Sequence, residues 1–289
     1  MPCYLSTGCF KTTDLDEIIA SSLEHGFNLE LSSALPFSPS SLETVCNAGK
    51  QLDFLVHNYF PPPAIPFVLN LASTDPVIHQ QSVKLCKNAI DLCARLGAPF
   101  YSVHSGFALN LRPEDLGNHA AQRQLAERQS VPRGKAYEIY VKTINNLALY
   151  AIDSDVDLLV ENNVVSVENI SDDGTFPLLL ADIDELARFF LDINNPAVGL
   201  LLDTGHANVS AATFGIPPEL YIEELRPFIR CLHLSDNNGQ CDTNSPIRSE
   251  SWFAPYLKEL AAIPMVIEVN KLLQDEMLQQ VKLIEELKV

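Results

Sequence analysis

The chain has 289 residues, of which 47% are apolar and 19% are charged, so it can bury a large core and is not intrinsically disordered. Its 37 acidic residues against 19 basic ones give a net charge of −18, which would repel a polyanion and argues against broad nucleic-acid binding. No apolar run is long enough to span a bilayer, and the first ten residues lack the pattern of a signal peptide, so we expect no membrane partner.

Seven cysteines are scattered along the chain, and no C-x-x-C pair is among them. This arrangement is typical of free, mostly buried thiols and argues against a disulfide framework or a cysteine zinc site. We therefore expect a reduced protein and a cytoplasmic location.

Strand-like and helix-like segments alternate along the whole chain. The predicted strands cover residues 4–8, 27–31, 53–57, 99–104, 156–161, 198–203, 229–234 and 264–268. The predicted helices, with apolar residues at three- and four-residue spacing, cover residues 14–25, 40–51, 75–96, 136–151, 181–193, 218–226, 252–261 and 271–287.

Eight such rounds predict an α/β fold, a single (β/α)8 TIM barrel with enlarged βα loops. A doubly wound open sheet is the alternative, but no glycine-rich phosphate loop follows the first predicted strand. No linker-like stretch divides the chain, so the prediction is one domain over residues 1–289.

Six of the apolar runs end in an ionisable residue. These residues are His57, His104, Glu161, Asp203, His233 and Glu268. In a barrel the carboxyl ends of all strands meet at one rim, which is where active sites of such barrels lie. The six side chains are therefore expected to lie close together.

Four of these residues end four consecutive predicted strands: Glu161, Asp203, His233 and Glu268. One such residue alone is commonly a helix cap or a hydrogen-bonded loop residue. Together, three carboxylates and one imidazole suit a single divalent ion, Mn²⁺, Mg²⁺, Co²⁺ or Zn²⁺. Without a cation, the carboxylates would repel one another, so the pattern predicts a shared metal site.

Two predicted loops lie on the same face of the barrel. Residues 58–63 form an aromatic, proline-rich loop that could wall a pocket, or simply be a rigid surface loop. Residues 107–134 are locally basic and could bind an anionic group such as a substrate phosphate, with a solvated loop or a contact in a homodimer as the alternatives. The arginines of this segment are Arg112, Arg123, Arg128 and Arg133.

Short motifs at these strand ends resemble the xylose isomerase-like barrel superfamily. They are Asp-Thr-Gly-His at 203–206, His-Leu-Ser-Asp-Asn at 233–237, Glu-Asn-Asn at 161–163 and Ile-Glu at 267–268. This superfamily includes sugar and sugar-phosphate isomerases and epimerases, and also the type IV apurinic endonucleases. The resemblance covers nearly the whole chain.

The resemblance to the isomerase branch implies roles for individual residues. Glu161, Asp203, His233 and Glu268 would bind one divalent metal, and the two glutamates would also be the catalytic acid and base. His206 would contact a substrate oxygen. The residues predicted to bind substrate are His206, His104, His57, Asn163 and Asp242.

The endonuclease branch, which uses three zinc ions, is matched only in part. By resemblance, His57 and His104 lie where that branch has its first two histidine ligands, and Asp242 lies where it has a later aspartate. The following histidine ligand is replaced by Asn244, and an amide is a poor zinc ligand. Substrate contact, a second metal and a structural hydrogen bond all stay open for His57 and His104.

The sequence thus predicts a metal-dependent sugar or sugar-phosphate isomerase or epimerase with a small-molecule substrate. Proton transfer between Glu161 and Glu268 would pass through a metal-stabilised enediolate. The alternatives are a metal-dependent phosphodiesterase of the endonuclease type and a barrel that binds a sugar without chemistry.

Overall fold

The structure is a computed structural model that describes residues 3–115 and 131–289. Two arginines of the predicted basic segment, Arg123 and Arg128, lie outside the described residues. Arg112 and Arg133 of the same segment are among the described residues.

Eight parallel strands form one closed barrel in chain order. They are Cys3–Ser6 (β1), Asn28–Leu31 (β2), Phe54–His57 (β3), Phe100–His104 (β4), Asp157–Glu161 (β5), Val198–Asp203 (β6), Ile229–Leu234 (β7) and Met265–Ile267 (β8). β8 closes the ring by pairing with β1. The predicted TIM barrel is confirmed.

The barrel interior explains why the ionisable residues meet. Seven inward side chains form a buried plug, made of Tyr4, Leu55, Phe100, Leu159, Leu201, Cys231 and Val266. Side chains alternate between the two faces of a strand, so the next inward position lies two residues further on. On five of these strands that position holds a candidate site residue: His57, Glu161, Asp203, His233 and Glu268.

Eight described α-helices surround the barrel. They are Leu15–His25 (α1), Ser41–Ala48 (α2), Pro76–Leu96 (α3), Arg133–Ile152 (α4), Ile183–Ile193 (α5), Thr204–Phe214 (α6), Glu219–Leu225 (α7) and Gln274–Leu287 (α8). The longest, α3, is preceded by the N-cap residue Asp75, whose side chain accepts hydrogen bonds from two backbone amides, and is followed by Gly97 in the left-handed conformation.

Two helix assignments from the sequence differ from the structure. Helix α6 was not predicted, because its small and polar residues show no apolar stripe. The helix predicted over residues 252–261 is wrong: this stretch is a series of turns with a short 3₁₀ segment, Ala254–Tyr256. Pro255 lacks a backbone N–H, and the surrounding amides bond three residues back, as in 3₁₀ structure.

All seven cysteines are free thiols, four of them buried, one exposed and two intermediate. Among the described residues, no helix combines the length and the hydropathy needed to cross a lipid bilayer. The cytoplasmic location, the homodimer and the assignment of residues 1–289 to one domain stay predictions.

Candidate active site

Four side chains converge where β5, β6, β7 and β8 end. The candidate ligand atoms of Glu161, Asp203, His233 and Glu268 all lie within 4.8 Å of one another. From Nδ1 of His233, the distance is 2.7 Å to Glu268 Oε2, 3.6 Å to Glu161 Oε1 and 3.7 Å to Asp203 Oδ2. Ligands of one octahedral ion with bonds of about 2.1 Å stand about 3 Å apart, so this spacing suits a shared dication. These four residues are called the EDHE cluster below.

Buried atoms without hydrogen bonds support the same interpretation. Both carboxylate oxygens of Glu161 and Nδ1 of His233 are buried and have no hydrogen-bond partner of acceptable geometry. Such atoms are rare in folded proteins because desolvation without compensation is costly. A dication in the EDHE cluster would satisfy them, so the residues present fit a divalent metal.

The two carboxylate oxygens of Asp203 have different roles. Oδ1 accepts a hydrogen bond from the backbone N–H of His206 at 2.7 Å and so caps helix α6. Oδ2 faces the cluster. The Asn162 side chain fixes the same residue, because its oxygen accepts from the Asp203 N–H at 2.8 Å and its nitrogen donates to the Asp203 carbonyl at 3.2 Å. Sequence reasoning assigned no role to Asn162.

Glu30 is a second residue that sequence reasoning missed. It lies on β2, is fully buried, and its Oε2 is 2.9 Å from Nε2 of His233. A carboxylate on the far nitrogen of a metal-binding histidine is the usual partner that orients the ring and raises its basicity. Glu30 therefore directs Nδ1 of His233 towards the other members of the EDHE cluster.

His57 and His104 form a second group around Glu161. Nε2 of His104 lies 3.0 Å from Glu161 Oε2 and 3.1 Å from Nε2 of His57, and His57 Nε2 lies 3.4 Å from the same oxygen. Nδ1 of His57 lies 3.0 Å from Ser102 Oγ. Three ligand atoms at this spacing could share a metal, with Glu161 between the two groups.

His206 and Asp242 lie beside the EDHE cluster. Nδ1 of His206 is 2.8 Å from the Asn162 carbonyl oxygen, and Nε2 is 3.4 Å from Asp242 Oδ2. With its amide nitrogen turned towards Asp242, Asn244 donates to both carboxylate oxygens at 2.9 and 3.2 Å. Among the described residues, Asp242 belongs to no group of three metal-ligating side chains. These contacts give a third zinc ion no support.

Burial and neighbouring charges shift the pKa values of the groups in the cluster. Burial would lower the pKa of His233, but the carboxylates of Glu30 and Glu268 raise it well above its usual value. Burial raises the pKa of Glu268 to about 7, although His233 opposes the shift. Burial would also raise the pKa of Glu161, but the charge of His104 helps to hold it well below its usual value. A dication would compete with the proton on His233.

The side chain of Asn163, one of the predicted substrate-binding residues, forms hydrogen bonds to the backbone of two loops. Its amide nitrogen donates to the carbonyl oxygens of Ser105, Gly106 and Leu179 at 3.2, 3.1 and 2.7 Å. This nitrogen therefore joins the loops after β4 and β5. Direct substrate binding by Asn163 stays a prediction.

The described arginines of the basic segment are paired with carboxylates. Arg112 lies 3.5 Å from Glu114 and 3.7 Å from Asp115. Arg133, which begins helix α4, forms two short bonds to Glu185 at 2.6 and 2.7 Å. A bidentate pair of this kind uses the guanidinium group that an anion would need.

The chain matches a known protein family over most of its length. A family model described as xylose isomerase-like TIM barrel matches residues 23–286. The chain belongs to this family. This match confirms the resemblance to the xylose isomerase-like barrels that the strand-end motifs indicate. No curated protein sequence matches the chain.

Three solved structures of the same fold are named as sugar epimerases or as similar to one. A D-tagatose 3-epimerase-like protein has a TM-score of 0.72 and 20% identity, covering 99% of this chain and 97% of that one. The 3-keto-D-glucoside 4-epimerase from E. coli has a TM-score of 0.69 and 13% identity, covering 100% and 99%. A D-psicose 3-epimerase from Clostridium cellulolyticum has a TM-score of 0.63 and 15% identity, covering 100% and 96%. At these identities the likeness shows the shared fold.

The contact between Glu30 and His233 predicts an effect on metal affinity. Glu30→Gln keeps the shape of the side chain but removes the charge that orients His233. We expect the dissociation constant for Mn²⁺ to rise by about 10–100-fold, measured by isothermal titration calorimetry. The control is Glu43→Gln on the exposed surface of α2, which should bind Mn²⁺ as the unaltered protein does. An unchanged affinity in folded Glu30→Gln would show that this contact does not serve the metal site.

Proposed function

We propose that the protein is a dication-dependent isomerase or epimerase that acts on a hydroxy-ketone sugar. The observation that carries this proposal is the placement of Glu161 and Glu268. They lie at the ends of β5 and β8, three strands apart in the ring of eight, and therefore reach the EDHE cluster from different sides. Two carboxylates on different sides of a substrate carbon can remove a proton on one side and return it on the other.

The surrounding residues complete this chemistry. A dication bound by the EDHE cluster would polarise the carbonyl of the substrate and stabilise negative charge on its oxygens. His206, which lies beside the EDHE cluster, would donate a hydrogen bond from Nε2 to a substrate oxygen in place of its 3.4 Å contact with Asp242 Oδ2. Burial of Glu161, which is 1% exposed, keeps water away from one of the two proton-transfer groups.

The comparisons support the same class of reaction. Three structures that share the fold are named as epimerases of keto sugars or as similar to one. The function proposed here extends that chemistry to this chain because the four ligating side chains are present and converge. Mn²⁺ is the first ion to test, because a ligand set of three carboxylates and one imidazole suits it.

A second candidate is metal-dependent cleavage of a phosphodiester, and the group formed by His57, His104 and Glu161 is the observation in its favour. The net charge of −18 and the replacement at Asn244 weigh against it. Incubation with a duplex that contains an abasic site is the direct test. Efficient Mn²⁺- or Zn²⁺-dependent nicking that is lost in Glu161→Gln would favour this second candidate.

Solvent isotope exchange tests the proposed function. The protein, loaded with Mn²⁺, is incubated in D₂O with a panel of ketoses, which are then analysed by NMR. We expect deuterium at a carbon next to the carbonyl of at least one ketose, because removal of a carbon-bound proton precedes isomerisation or epimerisation. Ketose binding with no deuterium incorporation would instead indicate a barrel that binds a sugar without chemistry.

A further inference from the structure

A large cavity opens next to the EDHE cluster. It has a volume of about 510 Å³ and is lined mainly by residues of the loops after β3, β4 and β5. His104 belongs both to this lining and to the group around Glu161, so the cavity is continuous with the candidate active site. Its volume falls in the range of roughly 300–1,000 Å³ that is typical of pockets for drug-sized ligands.

The walls of this cavity are mainly apolar. Half-buried side chains from all three loops line it: Phe67, Leu69, Phe107, Leu111, Ile170 and Leu178. Among the described lining residues, the ionisable ones are His104, Glu168 and the phenol of Tyr59, and none is Lys or Arg. A phosphate group needs cationic or multiple N–H partners, so this part of the cavity suits an uncharged, apolar group.

Hydrogen bonds hold the walls in place. The side-chain nitrogen of Asn70 donates to the carbonyl oxygens of Phe107 and Leu109 at 2.9 and 3.2 Å, which joins the loops after β3 and β4. Tyr59 accepts a hydrogen bond from the Phe67 N–H at 2.8 Å, and the two rings pack edge to face with centroids 5.5 Å apart. The apolar cavity is therefore a built part of the fold rather than a gap between unconnected loops.

We propose that the substrate is a keto sugar that carries an apolar substituent, such as an aryl or alkyl group, and that this cavity binds the substituent. The inference rests on the proposed function, because it places the sugar at the EDHE cluster and the substituent beyond His104. It replaces a sugar phosphate, which the basic segment had suggested, with an uncharged conjugate. Both described arginines of that segment are paired with carboxylates and neither lines the cavity.

Three glucose derivatives that differ at one position test this inference. They are the 3-keto derivatives of 4-nitrophenyl β-D-glucopyranoside, methyl β-D-glucopyranoside and β-D-glucose 1-phosphate, each called by its parent name below and titrated into the Mn²⁺-loaded protein by calorimetry. We expect the nitrophenyl compound to bind at least about tenfold more tightly than the methyl compound, because its ring removes apolar surface from water. Glucose 1-phosphate should bind no more tightly than the methyl compound.

A pair of variants on one loop shows whether the cavity is responsible. Leu69→Ser places a hydroxyl in the wall and should weaken binding of the nitrophenyl compound by about fivefold to tenfold, with no effect on the methyl compound. The matched control is Ile65→Ser, which changes a side chain that is 82% exposed and should alter neither. If Leu69→Ser does not fold, Ile170→Ser tests the wall from the loop after β5.

Two results would overturn the inference. One is tighter binding of glucose 1-phosphate than of the nitrophenyl compound; the other is the absence of nitrophenyl binding at millimolar concentration. Both are binding results and need no turnover. They are therefore distinct from failure of the proposed function, which would appear as substituted sugars that bind but exchange no deuterium.

Discussion

Glu161→Gln will lower the rate of deuterium exchange into a ketose by at least about 10³-fold, within the range of roughly 10²–10⁴ for loss of a general acid or base. The amide cannot accept a proton from carbon. It is also a weaker metal ligand than a carboxylate, and both oxygens of Glu161 face ligating groups. NMR in D₂O measures the effect directly. Glu268→Gln should lose activity by a comparable factor.

The control for this experiment lies on the same strand. Asp157 begins β5 at the opposite end of the barrel, where it lies 3.6 Å from Arg230. Asp157→Asn removes one carboxylate from the same strand without touching the EDHE cluster, so exchange should stay within about twofold of the unaltered protein. Equal losses in Asp157→Asn and Glu161→Gln would mean that the effect comes from the fold and not from proton transfer.

Removal of the dication should abolish exchange and also lower thermal stability. In the EDHE cluster three carboxylates lie close to one another and are mostly buried, so a cation is expected to stabilise the folded state. Adding Mn²⁺ to the chelated protein at about 100 times its dissociation constant contributes about 2.7 kcal/mol. For a chain of this size that corresponds to an increase in Tm of roughly 4–5 °C, measured by scanning calorimetry.

His233→Ala provides the comparison. The variant lacks the imidazole that lies within 3.7 Å of all three carboxylates, so Mn²⁺ should raise its Tm by less than half as much. An equal increase in the variant would show that Mn²⁺ stabilises the protein elsewhere. In that case the EDHE cluster would not be the dication site.

The residues at the strand ends could be predicted from the sequence for a physical reason. A strand buried on both faces reads as a continuous apolar run, and a single ionisable residue at its end is easily recognised. The closed barrel then brings these ends to one rim. Glu161, Asp203, His233 and Glu268 could therefore be grouped from the sequence, and their convergence follows from the ring of strands.

The role of Glu30 could not be predicted in the same way. It lies inside the run of β2 and not at its end, and its partner His233 is 203 residues away. The isolated acid in an apolar strand was a usable signal of a special environment. The sequence gives no means of identifying which of the other buried groups would be its partner.

The loops and the polar helix were less predictable. Helix α6 begins at its Asp203 cap and ends at Gly215, but its interior has no apolar stripe to indicate a helix. Arg133 belonged to a segment that suggested anion binding, whereas Glu185 binds it from a helix 52 residues away. The apolar cavity depends on contacts among three loops, which the periodicity of any one loop does not encode.

Diffraction from a Mn²⁺-soaked crystal tests the central claim most directly. The account predicts an anomalous difference peak at the carboxyl ends of β5 to β8, within about 2.0–2.3 Å of an oxygen of each of Glu161, Asp203 and Glu268 and of Nδ1 of His233. A crystal with saturating Mn²⁺ and no peak among these four side chains would contradict it.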